Sequence, residues 1–300
     1  MKDVAQQNIW ENQQSFLDCI DYAQFQKKFS CDSRAIKKFQ KIIYDYYKTF
    51  GRAFVWRQTT EPYKIVVSEV MLQQTQTSRV GPKFDLFIKT FPDFTSLAHA
   101  PLHDVIACWQ GLGYNRRAKY LREIAQKVVV DHGGVLPNSP KILQTFPGIG
   151  SATAASICAF AFNEPTVFIE TNIRTVFTKF FFSENISSVH DKDILPLVAT
   201  TLDKKNARVW YYALTDYGVG LKKFFPSMNA KSAHYNKQSR FEGSDRQIRG
   251  KILKLLTQKK SATQKDFSVL CKEKKRLEKI ILQLQNEKLI IQEEDLFKIF

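Results

Sequence analysis

The sequence predicts an all-α protein: a large helical body followed by a small C-terminal unit resembling a winged helix. Three observations carry this. Across residues 35–221 apolar side chains recur at helical spacing between Gly and Pro breaks, without the alternation that marks half-buried strands. Residues 222–244 then lose all periodicity and turn polar, basic and aromatic, as a linker or surface loop would. Residues 245–300 regain helical spacing three times and close on two short apolar runs around Glu294-Asp295, the pattern of a hairpin.

The elements follow in order. Residues 1–34 form a glutamine-rich N-terminal arm with a weak helical pattern (Ile9, Trp10, Phe16, Leu17, Ile20). Residues 35–50 make a clearer helix, with Ile36, Phe39, Ile42, Ile43 and either Tyr46 or Tyr47 inward and Gly51 ending it. The stretch 63–79, YKIVVSEVMLQQTQTSR, is a helix that Gly81-Pro82 breaks and residues 83–90 resume. Pro101 opens a helix to Trp109, and Gly111-Leu112-Gly113 turns the chain. Residues 116–131 carry Leu121, Ile124, Ala125 and Val128 on one face before Gly133-Gly134. Asn138 or Ser139 caps a short helix, and Ser151 caps a helix of small residues. Residues 191–202 and 207–217 are two more helices, the second ending at Gly218. In the C-terminal unit the helices fall at 248–256, 264–271 and 273–286. Three helices and a wing either read DNA or only mediate packing.

Composition narrows the partners. At 300 residues and 44% hydrophobic, the chain can bury real cores. A formal net charge of +16 calls for an acidic partner, nucleic acid first and an anionic membrane surface second. The basic residues are spread along the chain among many aromatics, which describes a folded binder. No apolar run reaches about 18 residues, and no signal-peptide pattern opens the chain. The expectation is a monomer in the cytoplasm, at the nucleoid, without a membrane partner. Cys19, Cys31, Cys108, Cys158 and Cys271 include no pair at metal-ligand spacing, so they read as free thiols and no metal or other cofactor is expected.

Three places invite chemistry. Between Lys64 and Arg79 the only charged residue is Glu69, surrounded by Ile65, Val66, Val67, Val70, Met71 and Leu72. A helix apolar all round is normally buried, and burial raises a carboxyl pKa toward values useful to an acid near neutral pH. A core glutamate paired with a basic residue would look the same. Gln73 and Gln76 lie along the same face, with Gln74 beside them. In FPGIGSATAASI, Gly148 and Gly150 make a hairpin before Ser151, leaving helix-start N–H groups free for a phosphate. An ordinary helix–turn–helix corner has the same pattern. In ETNIRTVF, Glu170 sits at a helix N-terminus, where a carboxylate is favoured whether its role is chemical or structural.

SEVMLQQTQT, WQGLGYNRRAKYL, FPGIGSATAASI and ETNIRTVF, in this order and spacing, resemble the helix–hairpin–helix DNA glycosylase superfamily, and within it the A/G-specific adenine DNA glycosylases of MutY type. The likeness covers residues 56–218. It implies two helical lobes with the substrate cleft between them, a mismatched duplex as partner, and a base swung out of the stack. By position, Glu69 matches the acid that protonates the adenine. Glu170 matches the carboxylate that steadies the cationic sugar, and Asn172 an asparagine near the reaction centre. Gln74 and Tyr114 match residues that wedge into the duplex, with Gln73 beside them. Arg116, Gly148, Gly150 and Ser151 fall where the family touches DNA. Where the family has aspartate this chain has Glu170, whose extra methylene moves the carboxylate by about an angstrom, enough to cost a hundredfold if uncompensated.

Two absences matter. Members that also cut the strand carry a lysine two residues after the hairpin, where this chain has Ala152; base removal without strand cleavage is expected. Ala152 also replaces the Ser or Tyr of familiar adenine glycosylases. The four-cysteine iron–sulfur motif of the family is missing, and so is its C-terminal domain that inspects 8-oxoguanine. The resemblance implies a monofunctional glycosylase that excises adenine opposite guanine or 8-oxoguanine. Removal of mismatched thymine or uracil, or of an alkylated purine, is the alternative chemistry, and DNA binding without catalysis the alternative class.

Overall fold

The computed structural model describes residues 2–28, 33–183, 188–226 and 240–300; most of the expected linker lies outside the described residues. The chain gathers into two compact units. One comprises Met1–Phe54 and Ala155–Lys237, the other Val55–Ala154 and Gln238–Phe300.

In chain order the first unit begins with α1 (Lys2–Asp18), α2 (Tyr22–Lys28) and α3 (Ser33–Phe50). The second unit supplies α4 (Pro62–Leu72), α5 (Thr77–Thr90), α6 (Phe94–His99), α7 (Leu102–Trp109), α8 (Arg116–His132) and α9 (Pro140–Leu143). Helix α10 (Ser151–Phe162) leads back to the first unit, completed by α11 (Thr171–Phe181), α12 (Asp191–Thr201) and α13 (Ala207–Phe224). The second unit ends with α14 (Asp245–Lys259), β1 (Ser261–Thr263), α15 (Gln264–Ser268), α16 (Lys274–Asn286), β2 (Ile290–Glu293) and β3 (Leu296–Ile299). No helix among the described residues is long and apolar enough to cross a membrane.

Aromatic rings fill the core of the first unit. Phe39 of α3 meets Phe177, Phe180 and Trp210 edge-on at centroid distances of 5.6, 4.9 and 5.7 Å. Such pairs add about 0.5–1.5 kcal/mol each beyond the burial of their area. Of the two candidate tyrosines, Tyr46 is the buried one and Tyr47 stays half-exposed. The arm closes this core: Leu17 is buried, Phe25 packs 5.2 Å from Phe180, and the Tyr22 and Tyr217 hydroxyls hydrogen-bond at 2.7 Å. Asp216 is buried beneath Arg52, whose backbone N–H and Nε each donate to it at 2.7 Å.

Helix α13 does not stop at Gly218 but runs six residues further, to Phe224. Gly218 is there for contact: a Cβ on it would lie 2.7 Å from the carbonyl carbon of Asn172 on α11. A glycine mid-helix therefore marks close packing here and not a terminus.

In the second unit α4 buries Tyr63, Ile65, Val66, Val67, Ser68, Val70 and Met71. It ends earlier than the sequence suggests, at Leu72, and Gln73–Gln76 form a turn before α5. Conversely Gly81-Pro82 does not break α5. Pro82 and Ser78 are both exposed, so water can serve the one carbonyl the proline leaves unpaired. Helix α8 ends as expected on Gly133 in the left-handed conformation (φ 60°).

The C-terminal segment carries three helices and a three-stranded antiparallel sheet in the order β1-β3-β2. Strand β1, only three residues long, was not apparent from the sequence; it sets Ala262 opposite Phe297. The β2–β3 turn places Glu294 at φ 54°, as a two-residue hairpin demands.

Candidate active site and nucleic-acid interface

Glu69 sits on a half-exposed strip of α4, and Lys64 is half-exposed on another face. Pro62, Glu69, Leu72 and the following Gln73 are half-exposed while their neighbours are covered, so the carboxyl lies at the edge of an apolar wall and is not sealed inside it. That corrects the expectation of a helix buried on every side.

Arg117 stops the helix. Its guanidinium is buried and donates from Nη1 to the carbonyls of Val70, Met71 and Gln73 at 2.8, 2.8 and 2.7 Å. Nη2 reaches Thr75 Oγ1 at 2.9 Å, Gly113 O at 3.0 Å and Leu112 O at 3.4 Å. A cation facing the last carbonyls of a helix is favoured by the dipole and caps its orphan acceptors. Burial pushes the Arg117 pKa down to about 10, which leaves the charge intact at neutral pH. The sequence carries a signal for this role: Arg117 lies four residues before Leu121, on the apolar face of α8.

The same side chain thus ties the turn after α4 to the Gly111–Gly113 reversal, and each presents one wedge candidate. Gln74 has φ 53° and Tyr114 φ 48°, and both are exposed. Left-handed backbone in residues other than glycine is strained and collects at functional sites. Gln73 instead points to the hairpin. Its Nε2 donates to Gly148 O at 3.2 Å and to Thr153 Oγ1 at 3.3 Å. Gly148 needs to be glycine, since φ is 72° and a Cβ would stand 2.6 Å from the Tyr120 ring. Gly150, Ser151 and Ala152 are exposed at the start of α10, and Ser151 is the first helical residue. Arg116 is exposed, with Nη1 3.7 Å from Glu287.

An open groove of about 1710 Å³ joins these features, lined by Gln73, Gln74, Tyr114, Arg116, Gly148 and Gly150 among others. Glu69, Ser151 and Ala152 are not among the residues lining it.

The first unit holds the second carboxylate. Glu170 is the N-cap of α11, its Oε1 accepting the Ile173 N–H at 3.0 Å. Its Oε2 accepts from Asn172 Nδ2 at 3.0 Å, and Asn172 Oδ1 accepts from Lys222 Nζ at 2.8 Å. This chain of donors fixes the amide of Asn172. Lys222 was expected to open the linker; it belongs to the last turn of α13, where burial lowers its pKa while Glu170 opposes the shift.

Because Gly218 lies against Asn172, the packing predicts a measurable effect. Gly218→Ala is expected to lower stability by about 1–3 kcal/mol, as overpacking does. Thermal melting checks it; an unshifted melting temperature would contradict the packing role.

Comparison with known proteins identifies the family. Residues 67–193 match the family described as HhH-GPD superfamily base excision DNA repair protein. The adenine DNA glycosylase of Mycolicibacterium smegmatis is 30% identical over 230 residues, covering 71% of this chain and 78% of that protein. That of Buchnera aphidicola subsp. Baizongia pistaciae is 36% identical over 158 residues, covering 52% of this chain and 45% of that protein. A thymine/uracil-DNA glycosylase of Methanothermobacter thermautotrophicus is 28% identical over 184 residues, 60% of this chain and 83% of that one. A solved thermostable thymine-DNA glycosylase shares the fold, with TM-score 0.56 and 24% identity over 67% of this chain and 96% of its own. The chain spans less than half the length of the Buchnera protein and more than three quarters of the mycobacterial one. The chain belongs to the HhH-GPD superfamily of base excision DNA repair proteins, and its relatives there include adenine DNA glycosylases.

Proposed function

We propose that this protein is a monofunctional DNA glycosylase that removes adenine from a mismatch with guanine or 8-oxoguanine, working as a monomer without an iron–sulfur cluster or other cofactor. The observation that carries the reading is Glu69: the sole acid of α4, held on that helix's half-open strip just before the Gln73–Gln76 turn. Its carboxylic acid would protonate the adenine ring and make the base a better leaving group. Glu170, held by the α11 N-terminus and Asn172, would supply the negative charge that steadies the sugar cation. Gln74 and Tyr114 would fill the gap left by the extruded base. No lysine stands at Ala152 to form a Schiff base, which favours hydrolysis without strand cleavage.

A panel of duplexes tests this, each holding one of A:8-oxoguanine, A:G, T:G, U:G or an alkylated purine. Free adenine and an intact strand bearing an abasic site are expected from the first two. The thymine/uracil-specific relative supports one competing reading, in which T:G and U:G are cut instead. Salt-dependent binding without product on any duplex would leave only a DNA-binding role.

A further inference from the structure

The groove beside the wedge loops has a second wall, and it comes from the C-terminal segment. Arg246, Gly250, Lys251 and Lys254 of α14 line it, together with Gln283 and Glu287. Counting its lining, seven residues are basic (Arg79, Arg116, Arg117, Arg246, Arg249, Lys251, Lys254) and two acidic (Asp245, Glu287). Both acids are already matched inside the protein: Asp245 accepts from Arg276 Nε at 2.7 Å, and Glu287 pairs with Arg249 and Arg116. Among the described residues neither Lys251 nor Lys254 has an acidic partner, and both are exposed. Arg246 reaches across to the wedge, donating from Nη1 to the Tyr114 hydroxyl at 2.9 Å.

Gly250 is the independent observation. It stands in the middle of α14, where glycine costs about 1 kcal/mol relative to alanine. Beyond its chain neighbours and the backbone of its own helix, no described atom lies within 4 Å of where its Cβ would be, so packing against another element does not explain it. A bare helix backbone between Arg246 and Lys254, facing an open basic groove, suits the close approach of an external polyanion.

We infer that α14 is a wall of the DNA-binding groove: Lys251 and Lys254 take phosphates of the duplex backbone, Gly250 lets that backbone approach, and Arg246 couples the contact to Tyr114. The occupant is duplex DNA, because the wall is continuous with the loops that present Gln74 and Tyr114. In this arrangement the winged unit grips the backbone through its first helix, and it need not read bases through α16. The inference rests on the DNA reading proposed above.

Equilibrium binding of the full-length protein to a lesion-free duplex, measured by fluorescence anisotropy across a salt series, tests it. Each lost phosphate contact should lower the magnitude of the log K against log salt slope by about 0.9, so Lys251→Ala/Lys254→Ala should lower it by about 1.8. Gly250→Leu is expected to weaken binding about tenfold, a 1.4 kcal/mol change, with a melting temperature equal to or above that of wild type. Wild-type slope and affinity in both variants would overturn this inference alone. A wild-type protein that ignores duplex at low salt would overturn it together with the DNA reading. A Gly250→Leu protein that binds weakly only because it melts earlier would overturn the role of Gly250.

Discussion

Glu69→Gln is expected to reduce the single-turnover release of adenine by about a thousandfold, within the 10²–10⁴ range of losing a positioned acid. The amide has the shape of the carboxyl and no proton to give at neutral pH. Duplex affinity should stay within about threefold of wild type, a change below 1 kcal/mol, because the substitution removes no basic or wedge residue. Stability should also change little. Glu69 occupies the half-exposed strip of α4, and substitutions at such positions usually stay within about 0.5 kcal/mol. The two measurements separate the roles that the sequence alone left open. If melting temperature and affinity fall together with the rate, Glu69 is a structural acid. If the rate is unchanged, another group delivers the proton.

What the sequence made legible and what it hid divide along one physical line. Glu170 at a helix N-terminus, the Gly148–Gly150 hairpin and the Gly133 terminus are local: a few neighbouring residues decide them, so a pattern suffices. The end of α4 is not local. No glycine or proline stops it at Leu72; a guanidinium forty-five residues away takes its carbonyls instead. Gly218 reads as a helix end for the same reason, since its true partner is the Asn172 backbone on α11. Lys222 looked like linker because the polar run it opens hides that α13 continues, and that its ammonium meets Asn172. Strand β1 is three residues long and exists only through its pairing with β3. The second wall of the groove depends on α14 docking against α7, where His103 in the first turn of α7 bonds to the Thr257 carbonyl, 154 residues further along the chain.

Arg117→Met is expected to be the most damaging single change to the fold of the second unit. Methionine keeps much of the volume and removes every donor. Six acceptors then lose a partner: the carbonyls of Val70, Met71, Gln73, Leu112 and Gly113, and the Thr75 hydroxyl. An orphaned buried acceptor costs about 1–3 kcal/mol, and those that reach water cost less, so a total of about 3–5 kcal/mol is expected. Removing a buried cation offsets part of this, because burial already disfavours its charged form. Arg117→Lys keeps a charge but replaces a planar five-donor fork with one ammonium, which cannot span both loops; it should recover less than half of the loss. The functional consequence differs from that of a phosphate-contacting arginine. The guanidinium serves the backbone beneath Gln74 and Tyr114, so its loss should erase the preference for a lesion-bearing duplex over an intact one. The salt slope should stay as it is, since no phosphate contact disappears. A variant that melts at the wild-type temperature would show that the turn after α4 is held by other contacts. One that melts early yet keeps its lesion preference would separate the stability of the two loops from their presentation of the wedge.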